Sequence, residues 1–202
     1  MATRKTVKRT IKNVFLALAF PVYLLCDWLG RVAGRDSTFQ AFSQTFSLIP
    51  GKLGVYSRAA FYRLACPNTS DETSIGFLTV FSHRDTTIGP GVYIGPQCNV
   101  GKCTIGANTL LGSGVHILSG KGQHNFSQTD KPIQEQGGSF DKTEVGEDCW
   151  IGNGALVMAD VPAHSILAAG SVYISKAEAP WSIVGGNPAR VLKMRKQEES
   201  TA

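Results

Sequence analysis

From Ile88 onward, glycine follows an aliphatic residue on a beat of six. Ile88-Gly89, Ile94-Gly95, Val100-Gly101, Ile105-Gly106 and Leu111-Gly112 are spaced six, six, five and six residues apart, and Ile117 stands six further on. After a break the beat resumes at Val145-Gly146, Ile151-Gly152 and Val157. Four places after their leaders stand Val92, Cys98, Thr109, Val115, Cys149, Ala155 and Val161, so each hexapeptide specifies two inward positions. This period fits neither a helix at about 3.6 residues per turn nor a single alternating strand. It fits a parallel β-helix, in which each hexapeptide makes one short side and three sides make one turn of a triangular prism. The leading aliphatic residue fills the axis, and glycine relieves the corner. Ile75-Gly76 and Phe81 read as the lead-in to the first coil.

The same pattern accounts for most of the cysteines. The chain has five, an odd number with no C-x-x-C, in a chain too large to need staples, which points to a reducing compartment. Cys98 and Cys149 fall on inward positions and Cys103 on the shortened side, so all three read as small apolar fillers. Two cysteines alone make a poor zinc site.

Between the two runs of repeats, residues 119–143 form a polar, glycine-bearing insertion. Insertions in a solenoid become loops on one face, often the binding face. His124, flanked by Gln123 and Asn125, stands away from any periodic apolar position and is the leading candidate for a functional side chain. His116 follows Val115 and points outward, to line a groove or to be solvated. His83, in SHRDTT, and His164, in DVPAHS, read as surface-loop residues.

The formal net charge of +5 would suit a nucleic-acid partner were it spread over a surface. Arg4, Lys5, Lys8, Arg9 and Lys12 supply five positive charges, which leaves 15 basic against 15 acidic residues elsewhere. A neutral body disfavours nucleic-acid binding. The basic start leads into VFLALAFPVYLLC, uncharged from Val14 to Cys26. That run is shorter than the ~20 apolar residues of a spanning helix, and Pro21 is expected to interrupt it. No small-x-small cleavage site follows, which argues against a secretory signal, and Leu25 spoils a lipoprotein site at Cys26. The reading is a membrane-associating helix over residues 1–30, on the cytoplasmic face, with the basic cluster on anionic headgroups. The alternative is a hydrophobic helix packed on the protein's own body or on another subunit.

Taken together, the I-G steps, VHILSGKGQHNF, DCWIGNGALVMADV, the AAGSV turn and the terminal GGNPARVLK resemble the left-handed parallel β-helix, hexapeptide-repeat acyltransferases, particularly the polysaccharide-type O-acetyltransferases. The resemblance runs from about Ile75 to Arg195. It implies a homotrimer with acyl-CoA between neighbouring prisms, no metal, and His124 as the general base for a saccharide hydroxyl. It places Trp150 along the cofactor or cleft, although an interface aromatic is the competing reading. Asn153, just after Gly152, would supply an oxyanion-binding backbone N–H. Ala169 and Gly170 would let the pantetheine arm pass. Pro188 would shape the adenine end, with Arg190 and Lys193 on the phosphates. Lys176 would be a further phosphate contact, in a stretch, Val172-Tyr173-Ile174-Ser175-Lys176-Ala177, that replaces the family's V-T-K-D-V-P. Asp130 and Glu135 are both placed to orient His124, and the residues do not choose between them.

The resulting expectation is an all-β fold with an N-terminal apolar helix. Residues 1–35 form the basic and apolar membrane-associating helix and 36–74 a helical or irregular lead-in. The β-helix covers 75–176 with its active-site loop at 119–143, and 177–202 form a cofactor-binding segment and tail. The expected activity is acyl-CoA-dependent O-acyl transfer, most simply acetyl from acetyl-CoA, to a saccharide or membrane-linked glycan. Two rivals remain: a zinc hydratase resembling the gamma-type carbonic anhydrases, with His83, His116 and His124 as ligands, and a non-catalytic trimeric membrane scaffold.

Overall fold

The computed structural model describes residues 2–175 and 179–195. Three helices come first: α1 (Ala2–Ala33), α2 (Arg35–Ser47) and α3 (Gly51–Ala65). Short strands follow: β1 (Ser74–Ile75), β2 (Val80–Phe81), β3 (Thr87–Ile88), β4 (Tyr93–Ile94), β5 (Asn99–Val100), β6 (Cys103–Ile105), β7 (Leu110–Leu111) and β8 (His116–Ile117). Beyond the insertion come β9 (Thr143–Val145), β10 (Trp150–Ile151), β11 (Leu156–Val157), β12 (Ile166–Leu167), β13 (Val172–Tyr173), β14 (Ser182–Gly186) and β15 (Ala189–Met194).

The strands rotate through three sheets. β1, β4, β7, β10, β12 and β14 share one sheet with β15 at its edge; β2, β5, β8, β11 and β13 form a second, and β3, β6 and β9 a third. Through β11, each strand pairs in parallel with the one three places earlier. A bridge from Val145 to Val161 extends the third sheet. The expected leaders fall in register: Ile94, Leu111 and Ile151 on one side, Val100, Ile117 and Val157 on the next, and Ile88, Ile105 and Val145 on the third. All are buried, as are Val92, Cys98, Thr109, Val115, Cys149, Ala155 and Val161. A side of two strand residues and a turn explains why the period is six.

The chain is not all-β, because the helices account for almost every described residue before Ala65. They cap the first coil through an aromatic cluster: Tyr62 meets Phe81 at 4.3 Å and Phe46 stacks on Phe61 at 4.5 Å. The wholly buried Arg58 joins helices to coil. Its guanidinium donates to the carbonyls of Phe46 (3.0 Å) and Ile49 (2.8 Å) at the end of α2, and to that of Ile75 in β1 (2.9 Å). Cation and helix C-terminus are electrostatically matched. Gly54 leaves room for this, since a Cβ there would lie 2.7 Å from the guanidinium and closer still to the Ile49 carbonyl.

Two expectations about the first helix are corrected. α1 runs unbroken through Pro21, since its inner face, with Ala19 and Cys26 buried, packs along α2 and α3. Arg4–Ala33 is also long and apolar enough to cross a membrane by length and composition. Its polar groups nevertheless tie it to the coil. Lys8 meets Glu72 at 3.1 Å, Arg9 meets Asp71 at 2.8 Å, and Lys12 meets Glu72 at 2.5 Å. Toward the other end Asp27 meets Arg84 at 2.6 Å. Three of the five basic residues thus form ion pairs within the chain, Lys12 buried and Lys8 and Arg9 still exposed.

Candidate functional site

Each turn carrying the chain from the first sheet to the second stacks on the turn of the preceding coil. Gly154 N–H donates to Ser113 (2.9 Å) and Gly170 N–H to Asn153 (2.8 Å), building a ladder along one prism edge. Asn153 Oδ1 accepts from Ser113 N–H at 3.1 Å, which holds its side chain against the coil. The backbone N–H of Asn153 donates to no group among the described residues. A Cβ on Gly152 would lie 2.8 Å from the Ala168 carbonyl carbon, so the ladder stacks this closely only with glycine there. Ala169 and Gly170 are exposed in the next turn, and Gly170 has φ +68°.

One layer on, Ala168 N–H donates to Val184 in β14 (2.9 Å), and β14 turns through Asn187-Pro188 into antiparallel β15. Within the expected cofactor-binding segment, residues 189–194 thus form a strand. Arg190 stands opposite Gly185 and Lys193 opposite Ile183, both exposed and neither paired with a carboxylate among the described residues. Gly152, Asn153, Ala169, Gly170 and Pro188 thus follow one edge into the hairpin that carries Arg190 and Lys193. Lys176 lies outside the described residues.

Trp150 is 55% exposed on the outer face of β10, in a column with Tyr93, Leu110 and Ile166. His124 occupies a different edge. Its loop leaves β8 of the second sheet and returns at β9 of the third. The stem is zipped by Asp141 N–H to Ser119 (3.0 Å), Ser139 N–H to Gly122 (2.7 Å) and Asn125 N–H to Gly137 (2.9 Å). His124 is exposed, and neither Asp130 nor Glu135 bonds to it. Phe126, at 76% exposure, also leaves this arm uncovered. A single chain does not bring His124 onto the Asn153 edge.

At the base of the loop lies a cavity of about 260 Å³ lined by Gln40, His83, Asn99, His116, Gln123 and Phe140, among others. His116 is one wall of it. His83, read as a surface residue, is half-buried: its Nδ1 lies 2.9 Å from Ser82 Oγ and 3.4 Å from Ser119 Oγ, and its ring sits 4.9 Å from that of Phe140. Sequence could not show this, because Ser119 and Phe140 arrive one or more coils later. His164 is structural. It bonds Asp148 at 3.1 Å and stacks on Trp181 at 4.1 Å. The His164 hydrogen bond and, after it, Arg195 hold the Asp148 carboxyl below its ordinary value.

Among the described residues no three His, Cys, Asp or Glu side chains converge to hold a metal ion. All five cysteines are buried as free thiols, and burial pushes Cys103 up to about 12, far from a reactive thiolate.

Residues 85–119 match the family model described as bacterial transferase hexapeptide (six repeats). A chloramphenicol acetyltransferase of Klebsiella aerogenes is 30% identical over 116 residues, which are 50% of this chain and 55% of that protein. The chain thus spans about half the length of the first curated relatives it matches. A maltose O-acetyltransferase from Clostridium difficile 630 superposes with TM-score 0.67 at 17% identity, covering 80% of this chain and 88% of the other. A hexapeptide-repeat acetyltransferase from Vibrio cholerae O1 biovar eltor, solved with acetyl coenzyme A, gives TM-score 0.58 at 20% identity, covering 83% and 92%. Built on three sheets that are parallel but for the β15 edge, with an apolar helix at its start, the chain carries the bacterial transferase hexapeptide repeat and resembles the hexapeptide-repeat acetyltransferases in both sequence and fold.

Proposed function

We propose that this chain is an acetyl-CoA-dependent O-acetyltransferase, a homotrimer of left-handed coils, acting on a hydroxyl of a saccharide or a membrane-linked glycan at the cytoplasmic face of a membrane. One observation carries the reading: the bare turn ladder with its basic hairpin and the His124 arm stand on different edges of one prism. Each is half of a transfer site, and a second copy supplies the missing half. Exposed Phe126 on the arm and the column of Tyr93, Leu110 and Trp150 are apolar surfaces for that contact. The acetyltransferases named above, one solved with acetyl coenzyme A, support the choice of donor.

In this reading His124 of one protomer accepts the proton of the acceptor hydroxyl, a poor nucleophile until it is deprotonated. The oxygen attacks the thioester carbonyl, and the new oxyanion takes a hydrogen bond from the unengaged Asn153 N–H. The tetrahedral centre collapses with loss of the CoA thiolate, which takes back a proton from the imidazolium. Arg190 and Lys193, with Lys176, hold the phosphates, Pro188 the adenine end, and Ala169 and Gly170 the pantetheine arm. The 260 Å³ cavity beside the arm, walled by His83, His116 and Asn99, is the place for the acceptor sugar.

His124→Ala is expected to lower kcat by about 10²–10⁴-fold while leaving calorimetric acetyl-CoA affinity unchanged. Unchanged turnover would remove His124 from the reaction. Absent acetyl-CoA binding in the wild-type chain would remove the reaction itself.

A further inference from the structure

We infer that the outer face of α1 is a bilayer-docking surface that enters the acyl-chain layer of one leaflet, and that the cavity between α1 and α2 takes a lipid chain. This extends the membrane-linked acceptor of the proposed function, but it stands on a different part of the molecule. At about 100° per residue, Leu24, Trp28, Val32, Leu25, Leu18 and Ile11 sweep an arc of about 140°. All are exposed, Leu18 at 64% and Trp28 at 62%. No charged side chain falls on this arc between Val7 and Val32, since Lys8, Arg9, Lys12, Asp27 and Arg31 all project elsewhere. Thr10, the one hydroxyl on it, donates to Thr6 of its own helix at 3.1 Å.

A protein partner would ask for something else. Protein interfaces carry a polar rim and direct hydrogen bonds, and a two-helix seam is narrower than this arc. A surface this wide with no free donor or charge suits a solvent that offers neither. The neighbouring cavity has the same character. It measures about 350 Å³ and is lined by Val22, Ala41, Phe42, Thr45, Phe46 and Ile49. Its hydroxyl, on Thr45, is likewise turned back, donating to Ala41 at 3.0 Å. Val22 lies between Leu18 and Leu25 on the helix surface, so the cavity adjoins the arc. The ties of α1 to Asp71, Glu72 and Arg84 hold the helix along the body instead of letting it stand across a bilayer. Docking therefore rests on apolar insertion, with Arg4 and Lys5 secondary.

The test is co-sedimentation of the full chain with vesicles of phosphatidylcholine alone and of phosphatidylcholine with phosphatidylglycerol, in low and high salt. Binding to neutral vesicles that survives high salt is expected. It should fall about tenfold or more in Leu18→Glu/Leu25→Glu, and measurably in the milder Leu18→Gln/Leu25→Gln, with thermal unfolding followed in both. Arg4→Gln/Lys5→Gln should bind neutral vesicles as wild type does. Binding only to anionic vesicles, or binding abolished by salt, would overturn the inference. So would no vesicle binding combined with dissociation of the oligomer in the glutamate variant, which would make the arc a contact between copies. Acetyl-CoA affinity, measured in parallel, reports on the transferase reading alone.

Discussion

The coil and the helical cap draw on the same stock of aliphatic residues and turn it in opposite directions. In the coil, Leu111, Ile151 and Val157 each point to the axis and are fully buried, while the outward strand positions mix polar residues such as Asn99 with the exposed column of Tyr93, Leu110 and Trp150. In α1, Ala19 and Cys26 are the buried hydrophobic side chains among the described residues, while Leu18, Leu25 and Trp28 face out. Hydrophobicity by itself does not say where the core lies; periodicity does. A beat of six with two specified positions leaves one way to wind, whereas an apolar run bounded by charges is compatible with burial, insertion or assembly. At the boundary between the regions, polar chemistry joins the aromatic cluster of Phe61, Tyr62 and Phe81, through Arg58 at one place and ion pairs at others.

Arg58→Ala is the sharpest way to break that boundary. It leaves the carbonyls of Ile49 and Ile75 unpaired in a buried site, takes one donor from that of Phe46, which keeps the Ile49 N–H, and opens a void behind them, and is expected to cost about 3–5 kcal/mol. Equilibrium denaturation should show the helices separating from the coil, or the whole chain unfolding earlier. Arg58→Lys should recover only part of the loss, because an ammonium cannot span three carbonyls as a planar fork does. A loss below about 1 kcal/mol would mean that the aromatic cluster around Phe61 and Tyr62 holds the cap unaided.

What could be read beforehand follows the same division. The repeat named the axis residues one by one, because each hexapeptide is a local unit that meets its neighbours at a fixed spacing. Gly152 was legible in the same way, as a glycine on the beat, whereas Asn153, Ala169 and Gly170 were named only by the family resemblance, and the stacking of their turns came with the structure. His83 was not, because its partners Ser82, Ser119 and Phe140 come from a coil and an insertion whose path no period specifies. Arg58 was equally invisible: nothing in YSRAAFY marks it, and only the assembled α2 terminus provides carbonyls for it. The α1 ion pairs were missed because the basic cluster looked complete without Asp71 and Glu72, which lie some sixty residues on.

Truncating one leucine in each region compares the two directly. Leu111→Ala opens a cavity in the axis and should cost about 2–5 kcal/mol. Leu18→Ala removes a side chain that touches mainly solvent and should change stability in lipid-free buffer by less than about 0.5 kcal/mol. Matched thermal melts of the two variants decide this. A large loss in Leu18→Ala would show the arc packed against another copy in solution, and so would turn the contrast between the regions into a contrast between two kinds of core.

The smallest expected effect is acid loosening of α1 from the coil. Hydrogen bonds from Arg84 above all, and from Arg31, hold the Asp27 carboxyl below its ordinary 3.8, and Lys12 above all, with Lys8, holds Glu72 below 4.5. A carboxyl depressed in the folded state stabilises it at every pH above the unfolded value and loses that contribution as the pH falls through the folded one. The α1 ties should therefore be intact at neutral pH and weaken only below about 4, where protonation leaves Arg84 and Lys12 without their anions. Hydrogen exchange corrected for intrinsic rates should then report faster exchange in α1 while the axis strands β7 and β10 keep their protection. These pairs are partly exposed, so high salt at neutral pH should reproduce part of the loosening. Exchange in α1 that is indifferent to both acid and salt would show the helix held by its apolar inner face alone, and the ion pairs would then serve only to fix its direction.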